Sequence, residues 1–237
     1  MSVLHLSGID IDVQRKSIKN IHLSVLPPTG AVRISAPHHV NVDTIRVFAL
    51  TRLAWIKKQQ KKFVDQIRET PREYIDRESH YFEGRRYFLE IVEQNAPPKV
   101  ELESKRITLY IRPETTEDKK KQILTDWYRQ KLKNSIENLI SQWETRLEVK
   151  VEKFTIQQMK TLWGSCTPER RSIRLNLELA KKPTECLEYI VVHELLHLLE
   201  PTHNKHFIEL LDKHLPQWRR YREMINTLPV KHEHWDY

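Results

Sequence analysis

The sequence predicts an α+β protein, and three observations lead to this class. Apolar and polar residues alternate through much of the first half of the chain, which is typical of strands. Apolar residues recur at helical spacing in the second half, and the motif HELLH at 193–197 lies in an apolar helical segment. We therefore expect a β-rich N-terminal domain with a long helix over residues 1–115. A C-terminal domain over residues 116–237 should hold a small antiparallel sheet and the HExxH helix.

The N-terminal elements are predicted from short alternating runs. The apolar residues that alternate with polar neighbours are Ile9, Ile11, Val13, Ile21, Leu23, Val25, Val32 and Ile34. Their close spacing predicts an antiparallel meander up to about residue 36. Either Asn41 or Asp43 can then cap one helix that continues to about Arg68. Strand character returns over residues 81–92, 100–102 and 107–111.

The C-terminal elements begin after Pro113 and a polar run at 114–121, which form the predicted domain boundary. A long helix follows, with one apolar face made by Tyr128, Leu132, Ile136, Leu139 and Trp143. Strands are predicted at 151–156 and 173–177, and three helices complete the chain. The first starts at Pro183 or Thr184, the second contains Phe207, and the last covers about 218–225.

Composition limits the classes of function. With two cysteines in 237 residues, a disulfide scaffold is excluded and a reducing compartment is indicated. The first residues lack the basic and apolar regions of a secretory signal, so we expect a cytoplasmic protein. The longest apolar stretch, at 189–199, is interrupted by polar residues and is too short to cross a bilayer, so no membrane association is expected.

The HExxH motif places two imidazoles on one helix face. His193 and His197 are separated by four residues, so they lie one turn apart and can bind one cation. Glu194 is rotated away from that face, where it can accept a proton from the water bound to the metal. The alternative is that both histidines are hydrogen-bonded core residues, a possibility that the neighbouring leucines allow.

A third ligand is predicted just beyond the helix. Glu200 precedes Pro201, which ends the helix, turns the chain back and brings His203 near the first two histidines. The resulting HExxHxxxxxH pattern has the ligand spacing of the metzincins, but Glu200 replaces the glycine of their longer motif. The alternative third ligands are His206, Glu209 and Glu223.

Four segments of the second half form a recognisable succession. They are WGSC at 163–166, IRLN at 173–176, YIVVHELLH at 189–197 and PTHN at 201–204. Together they resemble the YgjP-like metallopeptidase family, which is related to the SprT-like zincins. The resemblance implies a zincin-like C-terminal domain and supports His193, His197 and His203 as zinc ligands and Glu194 as the catalytic base.

The resemblance also implies where substrate binds. The strand that carries Arg174 and Asn176 should line the cleft, because edge strands in zincins align an extended peptide by main-chain pairing. Within the preceding WGSC segment, Gly164 permits a tight turn. Cys166 either packs against the metal-bearing helix or presents a thiol to the cleft.

These observations predict a zinc-dependent metallohydrolase, specifically a metallopeptidase that acts on a peptide or protein substrate. Some members of the resembled family are named UTP pyrophosphatases, so a metal-dependent nucleotide pyrophosphatase is the alternative. Arg170, Arg171 and Arg174 are then the candidate phosphate contacts. The chain has only four glycines and no glycine-rich phosphate loop, which lowers the weight of this alternative.

Nucleic-acid binding is a third hypothesis, from a different class of function. The net charge is +8, the pI is about 9.4, and lysines cluster in two places. The clusters are Lys57, Lys58, Lys61 and Lys62, and the run at 119–121. A solvated helix face explains the same lysines without any nucleic acid.

Overall fold

A computed structural model describes residues 2–26, 29–65, 72–159 and 162–227. Strands and α-helices alternate along these ranges, which confirms the predicted α+β class. The chain forms two compact units, one within residues 1–70 and the other within 71–228. The predicted boundary at 115 and 116 lies inside the second unit, between a strand and a helix that share one hydrophobic core.

The first unit contains a four-stranded mixed sheet. Its strands are β1 (Ser2–Leu6), β2 (Ile9–Lys16), β3 (His22–Leu26) and β4 (Ala31–Pro37), in the order β1-β2-β4-β3. The predicted antiparallel meander is wrong, because β4 lies between β2 and β3 and runs parallel to β2. Burial explains this order. Val32, Ile34 and Ala36 of β4 are buried, whereas β3 carries no fully buried residue and lies at the edge.

The single long helix predicted for this unit is two helices, α1 (Val42–Leu50) and α2 (Leu53–Asp65). Asn41 caps α1 by accepting a hydrogen bond from the backbone N–H of Thr44 at 2.7 Å. The first helix ends at Leu50, and its C-cap residue Thr51 donates its backbone N–H to the carbonyl of Val47 at 3.0 Å and its hydroxyl to the carbonyl of Phe48 at 2.9 Å. The predicted end near Arg68 lies outside the described residues.

The second unit begins with another mixed sheet. Its strands are β5 (Ser79–Phe82), β6 (Arg85–Glu93), β7 (Lys99–Glu103) and β8 (Arg106–Ile111), in the order β5-β6-β8-β7. Helix α3 (Glu117–Leu147) packs against this unit through one apolar stripe, as its spacing predicts. The Tyr128 hydroxyl also donates to the carbonyl of Tyr81 at 2.9 Å. Sheet and helix therefore belong to one core rather than to two domains.

A three-stranded sheet leads to the candidate site. It contains β9 (Lys153–Gln157), β10 (Gly164–Thr167) and β11 (Ser172–Asn176), in the order β10-β11-β9. The hairpin β10–β11 is antiparallel, but β11 runs parallel to β9, so the sheet is mixed and not antiparallel as predicted. The reason is that the connection after β9 carries the chain past β11 to the far edge, from which the hairpin returns.

Three helices complete the unit: α4 (Thr184–Leu196), α5 (Lys205–His214) and α6 (Trp218–Thr227). Most of α4 is buried, as expected for a helix that is apolar nearly all round. The β5–β6 turn contacts its start, where the N–H of Gly84 donates to the carbonyl of Lys181 at 3.1 Å. Within the described ranges, none of the helices combines the length and apolar character needed to cross a membrane.

Candidate metal centre

The last turns of α4 present His193 and His197 side by side. Their ring centroids are 4.9 Å apart, as the spacing of four residues predicts. The helix ends directly afterwards, and the ring of His197 is held by its Nδ1 atom, 3.1 Å from the carbonyl oxygen of Glu200. This contact leaves the Nε2 atom of His197 free to face a metal ion.

His203 reaches the same place from the turn between α4 and α5. The side-chain carboxylate of Glu200 accepts hydrogen bonds from the backbone and hydroxyl of Thr202, and Asn204 caps α5. As a result, the His203 ring lies 4.9 Å from that of His193 and 4.6 Å from that of His197, between centroids. The turn that Pro201 predicts therefore brings the third imidazole to the other two.

A fully buried aromatic ring supports the three imidazoles. The Phe207 ring, on the first turn of α5, lies 5.0 Å from His193, 4.7 Å from His197 and 4.9 Å from His203, between centroids. This contact fixes ring orientations that hydrogen bonds alone leave free. The sequence predicts a helix at Phe207 and places this residue in the family-like motif, but it does not predict the contact with the three imidazoles. Its position three residues after the capping Asn204 is the signal that could have placed it under the site.

The three histidines suit a metal ion. One ligand nitrogen from each of the three lies within 4.8 Å of the others, and no other described residue joins this group. The Nε2 atoms of His193 and His203 face each other at 2.9 Å, and the buried Nδ1 of His193 has no hydrogen-bond partner within the described ranges. Two facing nitrogen lone pairs repel unless a proton or a cation lies between them, and a shared cation would relieve all three rings at once.

Burial keeps these imidazoles in the form that binds metals. Desolvation, followed by the charges that His197 and His203 would carry, lowers the pKa of His193 to about 3. Burial also lowers the pKa of His197. Both rings are therefore neutral at physiological pH, which is the state in which imidazole donates a lone pair to a metal.

Glu194 directly follows His193 on α4. Its side chain is buried, and this burial raises the pKa of the carboxyl to about 8. Gly164, at the start of β10, lies against this carboxyl group. Gly164 was predicted to supply a turn, but it lies in a strand and contacts the motif glutamate.

The alternative third ligands lie elsewhere. The side chain of His206 is exposed, and its Nδ1 is 3.8 Å from a carboxylate oxygen of Glu209. Neither these two residues nor Glu223 belongs to the group of ligand atoms found in the described part of the chain. Of the candidates named from sequence, the structure brings only His203 to the pair on α4.

The strand expected to line the cleft is not an edge strand. β11 pairs with β10 on one side and with β9 on the other, so the free edge near α4 belongs to β10. Arg174 is exposed on β11. Asn176 is buried, and its side-chain amide donates to the carbonyls of Met159 and Leu162, each at 2.8 Å. The polar atoms of Asn176 are thus used within the protein.

Neither cysteine forms a disulfide. Cys166 is partly buried against the core, and burial, followed by the negative charges of Glu194 and Glu169, raises the pKa of its thiol to about 11. Cys186 is fully buried on α4, and burial raises its pKa to about 11 as well. At neutral pH both are protonated thiols, which favours packing over reactivity for Cys166.

Two solved structures are similar to part of the chain. One is the metallopeptidase zymogen abylysin of Pyrococcus abyssi, with 23% identity and a TM-score of 0.36 over 38% of this chain and 90% of that one. The other is the metallopeptidase zymogen jannalysin of Methanocaldococcus jannaschii, with 22% identity and a TM-score of 0.35 over 38% and 87%. A search among curated proteins finds no significant match. The model of the YgjP-like metallopeptidase domain matches residues 19–228, and the chain therefore belongs to the YgjP-like metallopeptidase family.

Proposed function

We propose that the protein is a zinc-dependent metallopeptidase in which His193, His197 and His203 bind the metal and Glu194 is the general base. The observation that carries this proposal is the convergence of three imidazoles, within 4.8 Å by their ligand atoms, beside a buried carboxylate. Membership of a metallopeptidase family supports the reaction class. Zinc suits three imidazole ligands, because it accepts nitrogen ligands and keeps a fourth position open in catalytic sites.

A zinc ion held by His193, His197 and His203 would supply a Lewis acid that polarises the scissile carbonyl and lowers the pKa of water to about 7. The protein contributes the base. A cation held by the three imidazoles would favour the ionised form of Glu194, against the effect of burial, and a carboxylate oxygen could then accept the proton of the attacking water and pass it to the leaving amine. Because its side chain is buried, few solvent molecules compete for that proton. Glu200 holds His197 through a backbone carbonyl, which keeps the ligand ring in place during this cycle.

β10 is the strand that suits an extended peptide substrate. Among the described residues it pairs with a single strand, β11, so the N–H and C=O groups on its other side can pair with a substrate main chain. The strand starts at Gly164, which contacts the Glu194 carboxyl group. A peptide bound along β10 would therefore pass close to the catalytic base. We therefore propose β10 as the substrate-binding strand, in place of β11, which the family resemblance implied.

The structure gives no added support to the nucleotide pyrophosphatase hypothesis or to the nucleic-acid-binding hypothesis. Arg170 and Arg171 lie exposed in the short turn between β10 and β11, without a phosphate-binding loop beside them. Lys57, Lys58 and Lys61 are exposed on α2, as a solvated helix face requires.

Metal analysis and a paired activity assay test the proposal. Purified protein should contain about one zinc ion per chain, and it should hydrolyse members of a peptide library but not nucleoside triphosphates. Glu194→Gln should retain the metal and lose about 100- to 10,000-fold in kcat, which is the usual contribution of a general base. Turnover of nucleoside triphosphates alone would overturn the peptidase assignment.

A matched pair of variants tests the ligand set. His203→Ala removes the third imidazole and should abolish tight zinc binding, because two histidines alone bind the ion weakly. His206→Ala removes an exposed histidine three residues away that lies outside the group, and zinc content should stay unchanged. Loss of zinc from the His206 variant with retention in the His203 variant would contradict the assignment.

A further inference from the structure

Gly164 lies against the end of the Glu194 side chain. A Cβ atom added to Gly164 would be 2.5 Å from Oε1, 2.8 Å from Cγ and 2.9 Å from Cδ of Glu194. These are the three nearest heavy atoms, and all belong to Glu194. The space that any other residue would fill at position 164 is therefore occupied by the carboxyl group of Glu194.

The backbone itself does not require glycine at this position. Gly164 pairs with Leu175 in the regular β10–β11 ladder, and its φ is not in the left-handed region, unlike those of Gly8, Gly30 and Gly84. Glycine within a strand weakens the strand and usually marks a site where another group approaches closely. Here that group is the carboxylate next to the metal-binding histidines.

The strand around Gly164 is held firmly, so a new side chain would move Glu194 and not the strand. The N–H of Asn176 donates to the carbonyl of Trp163 at 2.9 Å, directly before Gly164. The side-chain amide of Asn176 holds the carbonyl of Leu162, one residue earlier. Glu194, in contrast, can rotate about its side-chain bonds. Contact at an ordinary separation of 3.4 Å would displace the carboxylate oxygen by about 0.9 Å, the difference between 3.4 and 2.5 Å.

We propose that Gly164 is a positioning residue for the reaction: its missing side chain seats the Glu194 carboxylate between β10 and α4 and sets its distance from the three imidazoles. The proposal rests on the function proposed above. A misplacement of about 1 Å in a catalytic group can cost about 100-fold in rate. Asn176 acts one step further away, by fixing the segment that leads into Gly164.

Kinetics of Gly164→Ala in the zinc-loaded protein test the catalytic part. We expect kcat to fall about 100-fold, with KM and zinc content within twofold of the parent. In the Glu194→Asp background, where the side chain is one methylene shorter, the same change should lower kcat by less than about fivefold, because the shorter side chain can avoid the new methyl group. An equal loss in both backgrounds, or a parental kcat in Gly164→Ala, would overturn the proposal.

A crystal structure of Gly164→Ala tests the position of the Glu194 carboxylate without an activity measurement. The carboxylate should move by about 0.9 Å relative to the parent crystal structure while the three imidazoles stay in place. An unmoved carboxylate would refute the proposal that Gly164 sets the position of the Glu194 carboxylate. If the carboxylate moves but the parent protein cleaves no peptide, the peptidase assignment is refuted. The role of Gly164 in setting the position of the carboxylate then still holds.

A further variant covers the case in which Gly164→Ala folds poorly. Gly164→Ala combined with Glu194→Ala removes the group that the new methyl meets. Its Tm should therefore return to that of Glu194→Ala alone, whereas a persistent loss of Tm would mean that the glycine is needed by the strand.

Discussion

The turn that supports the start of α4 depends on Gly84. Its φ is +74°, a backbone conformation that side chains disfavour, and its missing side chain faces Pro183, the residue before α4. A Cβ atom at Gly84 would lie 2.7 Å from Cγ and 3.0 Å from Cα of Pro183. Because the proline ring is rigid and the other contact is backbone, neither neighbour can move cheaply. Gly84→Ala should therefore separate the β5–β6 turn from the start of α4.

The expected cost has two parts. A Cβ atom at positive φ costs about 1 kcal/mol relative to glycine. Overpacking against the proline adds about 1–3 kcal/mol, the usual penalty for forcing a methyl group into a filled space. Gly84→Ala should thus lower the free energy of unfolding of the second unit by about 2–4 kcal/mol.

Gly8→Ala is the matched control, since Gly8 has a φ of +78° but nothing within 4 Å of its added Cβ atom. It should cost the first unit only the conformational part, about 1 kcal/mol. Urea unfolding monitored by tryptophan fluorescence, together with thermal unfolding monitored by calorimetry, would measure both changes in the free energy of unfolding. If the two variants lose the same free energy, the contact with Pro183 does not support α4, and the reasoning is refuted.

Three further predictions concern the thiols, the pH dependence and the metal. Because burial raises the pKa of Cys166 and Cys186 to about 11, alkylation by iodoacetamide at pH 8 should be about two orders of magnitude slower than that of a free cysteine peptide; an equal rate would show that the thiols are not buried as described. Burial lowers the pKa of His80 below its usual 6.5, so only the unfolded chain gains a proton on this ring as the pH falls through 6.5. Stability should therefore be unaffected above that pH and decline below it, and His80→Gln should show a smaller decline; an identical pH profile would exclude His80 as a cause. Chelation of the metal should lower the free energy of unfolding by about 2.7 kcal/mol at a free metal concentration 100-fold above Kd, and no change in Tm with a chelator would argue against a bound ion.

The three histidines of the proposed metal site could be named from the sequence because their placement depends on local geometry. His193 and His197 are one helical turn apart in any α-helix, and Pro201 keeps the helix from continuing into the turn that carries His203. The cap at Asn41 and the apolar stripe of α3 are local in the same way. Such features follow from the periods of the helix and the strand, which the sequence displays directly.

Strand order could not be predicted in this way. The alternation in β2, β3 and β4 identifies three strands, but the parallel pairing of β2 with β4 depends on which strand buries more apolar surface in the folded sheet. The same applies to β11, which alternates like an edge strand and lies between two others. Pairing joins residues that are far apart in sequence, so a local pattern does not specify it.

By itself, the sequence determined most of the helices and strands, the two imidazoles of the HExxH motif and the turn that leads to His203. Only the tertiary structure decided that Phe207 contacts all three rings, that Asn176 is a structural residue and that Gly164 contacts Glu194. The physical reason is that Gly164 and Glu194 are 30 positions apart, and their contact exists only because β10 is packed beside α4. A side chain that is missing leaves no periodic signal in the sequence; its effect appears only in the group that fills the space.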